Sequence, residues 1–411
     1  MPGSSESRSD ALWARARAVM PGGNSRTTVF TSPHPTYAAS ASGFSVTDVD
    51  GQTRLDFVNN YTSLIHGHSH PRITEAVVRQ LALGTALSFP TETEVRLAEV
   101  LVQRVESIEH LRFTNSGTEA VMMAVQAARA FTGRPRIARF EGCYHGAYVD
   151  HADEDLLLPF NDAEAVEREI GSHASELAAV IVDPLPHRPG FVDPAPGFLQ
   201  LLREVTRSLG VLLISDEIIS FRVDHGGAQR RFYPGYAADL TTLGKIIGGG
   251  FPVGAFGGRA DVMAVFDPTR RAGPKVAHGG TFNANPVTMV AGYEAMAMLP
   301  PSEFDRLAAL GQRARDGLAD VLENRGISWQ VAGKASLFKL HPHPRSVVDY
   351  RTSLPTPSEQ AAMDRFCQAI FAEGMILTPE LAGCMSTPMS EAEVDALIAA
   401  ADRAFNAIGL A

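Results

Sequence analysis

Cysteine is scarce in this 411-residue chain: there are three, Cys143, Cys367 and Cys384, and none belongs to a CxxC pair. An odd and sparse set supplies no disulfide framework, and it points to a reducing compartment. Long apolar runs are missing too. Nothing approaches the roughly 18 residues that a membrane span requires, so no membrane partner is expected. The opening residues MPGSSESRSD lack the apolar stretch of a signal peptide and read as a short tail, which places the protein in the cytoplasm. Positive charge is not in excess: 36 Lys and Arg face 46 Asp and Glu, a formal charge of −10, which argues against a nucleic-acid partner. Internal repeats and low-complexity segments are absent.

What is present fits an ordinary globular protein, with 45% hydrophobic and 20% charged residues. The length exceeds what one core serves, so two lobes are expected. ALWARARAVM predicts a helix stopped by PGGNS, and residues 35–58 predict short strands joined by glycine turns, with Asp50-Gly51 a hairpin signal. A helix is expected from Pro71 to Leu83. After about residue 112 the texture changes. Apolar strands (RIARFEG, AAVIVD, VLLISDE, DLTTLGK, VGAFGGR) alternate with helical stretches such as TEAVMMAVQAARAF, GFLQLLREVTRSLG and NPVTMVAGYEAMAML. Strands apolar on both faces and separated by helices predict a parallel α/β sheet covered on both sides. Beyond PPSEF, a long helix, two or three strands and two further helices predict a smaller α+β lobe, which the N-terminal segment joins.

Ligands of open α/β sheets bind beyond the carboxyl ends of the strands, and several polar residues fall there. TNSGTEA precedes a helix, either as a plain N-cap or as a phosphate site at a helix N-terminus. Asp216 and Glu217 end VLLISDE, which suits a metal site, a general base or a capping pair. Lys245 ends DLTTLGK with almost no other charge nearby. A desolvated lysine has a depressed pKa and attacks carbonyls. A phosphate cradle, a buried acid and a buried lysine at neighbouring strand ends are together what pyridoxal phosphate needs. TTLGKIIGGG is not a Walker A loop, because Ile246 stands where Ser or Thr must follow the lysine. HGHSH (His66, His68, His70) could hold a metal, but its spacing and Pro71 better fit a loop entering a helix. No metal site is expected.

Five motifs in order, FTNSGTEA, FEGCYHGA, LLISDEIISFR, ADLTTLGKIIGGGFPVGAFGGR and HGGTFNANPVTMVAG, resemble those of the class III aminotransferases, fold type I enzymes dependent on pyridoxal 5′-phosphate. The resemblance runs from PGGNSR at residue 21 to SEAEVDAL near the C-terminus. It is nearest to the branch of glutamate-1-semialdehyde aminomutases and β-amino-acid (β-phenylalanine) aminotransferases. It implies a mostly parallel seven-stranded sheet with helices on both faces, plus a smaller α+β domain from both chain ends. The expected division is 1–60, 61–300 and 301–411, with 61–300 binding the cofactor. By position, Lys245 would be the Schiff-base lysine and proton shuttle, and Asp216 the partner of the pyridine nitrogen. Ile218 and Tyr144 would pack on the ring faces. Ser116, Gly117, Thr118 and His145 would also contact the cofactor. Thr281 would reach the phosphate of a neighbouring subunit, so a homodimer with interfacial active sites is implied. The glycines after Lys245 are expected to let the chain turn close to the cofactor.

The resemblance also bears on the substrate. In the β-amino-acid branch an arginine of the PGGN-S/T-R segment grips the carboxylate, which nominates Arg26. Aminomutases place theirs a few residues later, and no arginine follows Arg26 before Phe30. They read GTLSGNP where this chain has GTFNANP, and FEAGFMSLAHT where it has LAGCMSTPMS. Tyr61, Cys384 and Met385 are the further candidates for the substrate pocket, the last two as an apolar wall. Asp183-Pro184 stands where the family has Glu-Pro. The expected reaction moves an amino group from a β-amino acid, aromatic donors among them, to a keto-acid acceptor. The alternatives are an aminomutase, or an aminotransferase of an amino sugar or other specialised intermediate.

Overall fold

Strand residues in the middle of the chain point alternately into two apolar layers. In Leu177–Val182, Ala179 and Ile181 join Ala120, Val121, Ala124 and Phe256. Val180 and Val182 join Phe140, Phe198, Leu199 and Leu202 on the other side. This period of two, apolar on both faces, suits a strand between two helical layers. The computed structural model describes residues 7–147, 155–231 and 235–410. Its seven-stranded sheet has the spatial order His110–Thr114, Gly254–Gly258, Leu240–Gly244, Leu212–Asp216, Leu177–Val182, Arg136–Phe140, Leu156–Leu158. The five strands from Leu240–Gly244 onward pair in parallel. Gly254–Gly258 runs antiparallel to both its neighbours. The sheet is thus mostly parallel, as expected, with one reversed strand. The helix Gly117–Thr132 covers one face. Ser116 caps it, its hydroxyl accepting from the Glu119 amide, and Gly133 closes it at φ 72°. Ala163–His173 and Phe198–Ser208 cover the other face.

The two ends of the chain share a second sheet. Ala38–Ser42, Ser45–Asp48 and Thr53–Asp56 form an antiparallel meander, and Met375–Ile376 adds to it in parallel with Thr53–Asp56. A third sheet joins Gln330–Ala332, Leu337–His341 and Ala382–Cys384. The long helices Pro301–Asn324 and Glu391–Ala407 line the same apolar cluster as Phe57 and Phe338. The helix Glu92–Arg104 has no counterpart in the sequence reading. HGHSH is indeed a loop leading into Pro71–Leu81, and two of its rings are spent as ties. His66 bonds the Ala295 carbonyl (2.9 Å) and the Thr387 hydroxyl (3.1 Å), and His68 bonds Asp56 (2.8 Å). Burial pushes His66 down to about 4, so it makes these bonds as a neutral ring. Among the described residues no cluster suited to a metal ion occurs, and no helix is long and apolar enough to cross a membrane.

Asp239 binds the strand starts together. It is 2% exposed, takes two bonds from Arg203 (2.7 and 3.1 Å) and one from Arg259 (2.8 Å). It also accepts the Leu213 amide (2.8 Å). Burial opposes its charge, but the bonds from Arg203 and Arg259 outweigh that and hold its carboxyl below the usual range. A depressed carboxyl stabilises the fold above the unfolded value of about 4, and the contribution is lost as pH falls through the folded value. Asp239→Asn is expected to destabilise by about 3 kcal/mol at pH 7, because it takes the carboxylate from the half-buried Arg203, whereas Arg259 keeps Asp261. The gap in urea-unfolding midpoint between wild type and variant should narrow as pH falls below about 4. A gap that does not change with pH would show that the carboxylate charge is not what matters.

Candidate active site

Three neighbouring strands of the large sheet end in ionisable groups around one cavity of about 400 Å3. Leu177–Val182 leads to Asp183, Leu212–Asp216 ends on Asp216, and Leu240–Gly244 leads to Lys245. All three line the cavity. Lys245 opens a short 3-10 turn with φ of 51°, a left-handed conformation that a side chain adopts only at a cost of about 1–3 kcal/mol. Its amine has no hydrogen-bond or ion-pair partner among the described residues. Burial pushes its pKa down, while the charges of Asp216 and Asp183 pull it back. Asp216 is fixed from three directions, by the His145 Nδ1 (2.8 Å), the Thr242 hydroxyl (3.1 Å) and the Ile218 amide (3.1 Å). His145 lies fully buried behind it, off the cavity wall, with its Nε2 unpartnered among the described residues. Asp183 accepts the Leu185 amide (2.9 Å) and faces His187 at 3.9 Å.

The fourth side is the start of the helix Gly117–Thr132. Ser116 spends its hydroxyl on the cap, and the amides of Gly117 and Thr118 carry no partner among the described residues. All three residues line the cavity. Two unpaired amides, a hydroxyl and the positive end of a helix form an anion cradle. Its glycine leaves room for Ile218: a Cβ on Gly117 would lie 2.7 Å from Ile218 Cδ1, which would have to shift. Gly146, at φ 88°, likewise leaves room for Thr118, whose Oγ1 would lie 2.6 Å from a Cβ there. Ile218 and Tyr144 both line the cavity. The Tyr144 ring is backed by the Arg188 guanidinium at 4.8 Å. Arg26 and Tyr61 enter from the N-terminal segment, with Asn60 and Ser63 beside them.

Four expected residues are not brought to this cavity, His145 behind Asp216 among them. Thr281 is exposed on a loop whose Asn283 accepts a bond from Asn115 Nδ2 (2.7 Å). Cys384 and Met385 do not form an apolar wall, because both are fully buried. Ala382–Cys384 is a strand paired with Leu337–His341, which turns these side chains into the core. Of the glycines after Lys245, Gly250 lines the cavity at φ 96°, and others serve a further purpose. A Cβ on Gly249 would meet the Ala291 carbonyl at 2.3 Å, and one on Gly292 would meet the Ile247 carbonyl at 2.2 Å. The run therefore docks on the helix Pro286–Ala297. Asn60, Asn115 and Phe251 line the cavity without having been singled out. The adjacent asparagines at 59 and 60 were the only signal for the first.

A family model described as Aminotransferase class-III matches residues 30–152 and 149–380. The chain belongs to the class III aminotransferases. Among curated relatives of this aminotransferase is a glutamate-1-semialdehyde 2,1-aminomutase of Methanothermobacter thermautotrophicus, 38% identical over 98% of this chain and 99% of that one. A β-phenylalanine transaminase of Variovorax paradoxus is 40% identical over 94% of this chain and 90% of its own. The crystal structure of an omega-transaminase from Sphaerobacter thermophilus superposes with a TM-score of 0.94 at 52% identity, covering 98% of both chains.

The family works through pyridoxal 5′-phosphate, and the residues of this aminotransferase fit that group. The cradle at Gly117 and Thr118 matches a phosphate, the unpaired Lys245 amine an aldehyde, and the Asp216 carboxylate a ring N–H. Gly117→Ala is expected to push Ile218 into the cavity. At about 1–3 kcal/mol for overpacking, cofactor affinity should fall roughly 5- to 150-fold, as read by absorbance titration of the apoprotein. Unchanged affinity would mean that the cradle lies elsewhere.

Proposed function

We propose that this aminotransferase moves the amino group of a β-amino acid, aromatic ones included, to a keto-acid acceptor. The observation that carries this reading is Arg26: a guanidinium on the wall of the cavity that also holds Lys245. An arginine there suits the carboxylate of an amino-acid donor. The 40% identity to a β-phenylalanine transaminase supports the same donor class. Lys245 would hold pyridoxal phosphate at its aldehyde, and the bound group would supply an electron sink for loss of a proton from the amine-bearing carbon. Lys245 is the base that takes that proton and returns it. Its depressed pKa leaves it a larger unprotonated fraction than a surface lysine has. Asp216, fixed by His145 and Thr242, stays a hydrogen-bond acceptor and keeps a ring nitrogen protonated. Gly117, Thr118 and the Ser116 cap hold the phosphate. Ile218 and Tyr144 confine the ring, and Tyr61 lines the donor's path.

The enzyme acts as a homodimer in this reading, with Thr281 reaching the neighbour's phosphate. Leu83, Phe89 and Phe282 are 74%, 81% and 57% exposed in the single chain. Apolar residues so exposed are suited to cover by a second subunit.

Two experiments test the proposal. The chain has four lysines, Lys245, Lys275, Lys334 and Lys339, so borohydride reduction of the yellow enzyme should fix the cofactor on the Lys245 peptide alone. Lys245→Ala should lower turnover by at least about 100-fold; a label on another lysine would refute the assignment. A donor panel read by half-reaction absorbance should show β-amino acids converting best. Arg26→Ala should raise KM for carboxylated donors by about 10- to 100-fold, the loss of a bond to a charged group. Isomerisation of glutamate-1-semialdehyde with no added acceptor would identify an aminomutase instead.

A further inference from the structure

Asn59, Asn60, Tyr61 and Thr62 have φ of 47°, 48°, 55° and 72°. None is glycine, so the segment is one turn of left-handed helix, where each residue costs about 1–2 kcal/mol and asparagine less. Such a conformation persists only where its surroundings over-determine it, and here both ends are pinned from the core. The Val58 and Asn59 amides donate to Asp56 Oδ1 (2.8 and 3.0 Å). The buried Asn59 side chain donates to the Cys384 carbonyl (3.0 Å). Arg222, 1% exposed, holds the Thr62 carbonyl (3.2 Å) with one nitrogen and the Met385 carbonyl (2.5 Å) with the other.

The middle of the turn faces the cavity. Asn60 Nδ2 donates to the Ser63 hydroxyl (3.1 Å), which orients the amide so that its oxygen accepts from Arg26 Nη1 (2.8 Å). The Arg26 guanidinium lies 5.3 Å over the Tyr61 ring, and the Tyr61 hydroxyl donates to the Thr28 carbonyl. With Nη1 held, the Nε–Nη2 edge of Arg26 has no partner among the described residues. Two parallel N–H groups on that edge are the fork that takes a carboxylate bidentately.

We propose that this left-handed turn is the specificity element for the donor's carboxylate, and that Asn60 is the positioning residue that aims Arg26. The inference rests on the reading of Arg26 as the carboxylate anchor. It also gives the Cys384–Met385 segment an indirect part in specificity, since its main-chain carbonyls hold the turn from beneath. A guanidinium fixed in this way selects donors by the distance between their amine and their carboxylate.

Asn60→Gly separates this role from a structural one. Glycine takes the positive φ at no steric cost while the acceptor is lost, so the thermal midpoint should stay or rise. KM for β-phenylalanine should rise about 10-fold, the loss of a charge-assisted bond, with the change in KM and not in kcat. The loss should be at least about 5-fold larger than for 1-phenylethylamine, which has no carboxylate. Calorimetric binding of 3-phenylpropanoate to the holoenzyme should weaken by the same factor as KM rises. Asn60→Asp, which keeps the acceptor and adds a negative charge, should weaken carboxylate binding at least as much. Equal losses for both donors, or no loss of 3-phenylpropanoate binding, would overturn the proposal. Arg26→Ala measured alongside separates the two readings. If it leaves 3-phenylpropanoate binding intact, the anchor itself is wrong; if it weakens binding while Asn60→Gly does not, only the role of the turn is wrong.

Discussion

The Lys245 amine is held half-buried with no hydrogen-bond partner among the described residues, and the remainder of the site is arranged around that unmet need. A cation in such surroundings loses hydration that nothing in the chain replaces, which is why its pKa moves down. Two carboxylates sit at the adjacent strand ends, near enough to oppose the shift and not bonded to the amine. Asp216 is occupied by His145, Thr242 and Ile218, and Asp183 by Leu185. Had either formed an ion pair with Lys245, the amine would be a fixed cation and a poor nucleophile. The left-handed backbone at Lys245 belongs to the same arrangement: strain is kept where rigidity of the sheet can hold it.

Much of this was legible in the residues. Strands apolar on both faces, ending in Asp183, Asp216 and Lys245, specify a covered sheet whose strand ends converge. Ser116-Gly117 before an alanine-rich run specifies a helix start that can take an anion. The resemblance added Ile218 and Tyr144, which no local pattern marks as more than core or surface. The reversed direction of Gly254–Gly258 is not encoded locally, since its residues lie between two neighbours whatever the sense of the strand. The helix Glu92–Arg104 was overlooked because its buried residues are few. Leu97, Leu101 and Arg104 face inward, and charged residues surround them.

The side of the cavity proposed to face the donor was harder to read because its parts act through the backbone. Cys384 and Met385 contribute carbonyl oxygens, which any residue carries, so their identity says nothing about the task. The turn Asn59–Thr62 includes Tyr61 and a β-branched threonine, residues that local preference places elsewhere. Beyond the local bonds to Asp56, the turn is held by Cys384 and Arg222, partners separated from it by up to 325 positions. The glycines after Lys245 show the same limit. Their need for space was evident, but the neighbour that fills it is a helix more than forty residues later.

The sheet shared by the two chain ends has a consequence for biogenesis. Thr53–Asp56 leaves the ribosome about 320 residues ahead of its parallel partner Met375–Ile376. At about 5–20 residues per second, the nascent meander waits for some tens of seconds with one edge open. The central sheet can close meanwhile, since all of its strands lie between residues 110 and 258. The cofactor's half of the cavity would then be built before the half that faces the donor, and an apparently folded chain could take up its prosthetic group before it can choose a substrate.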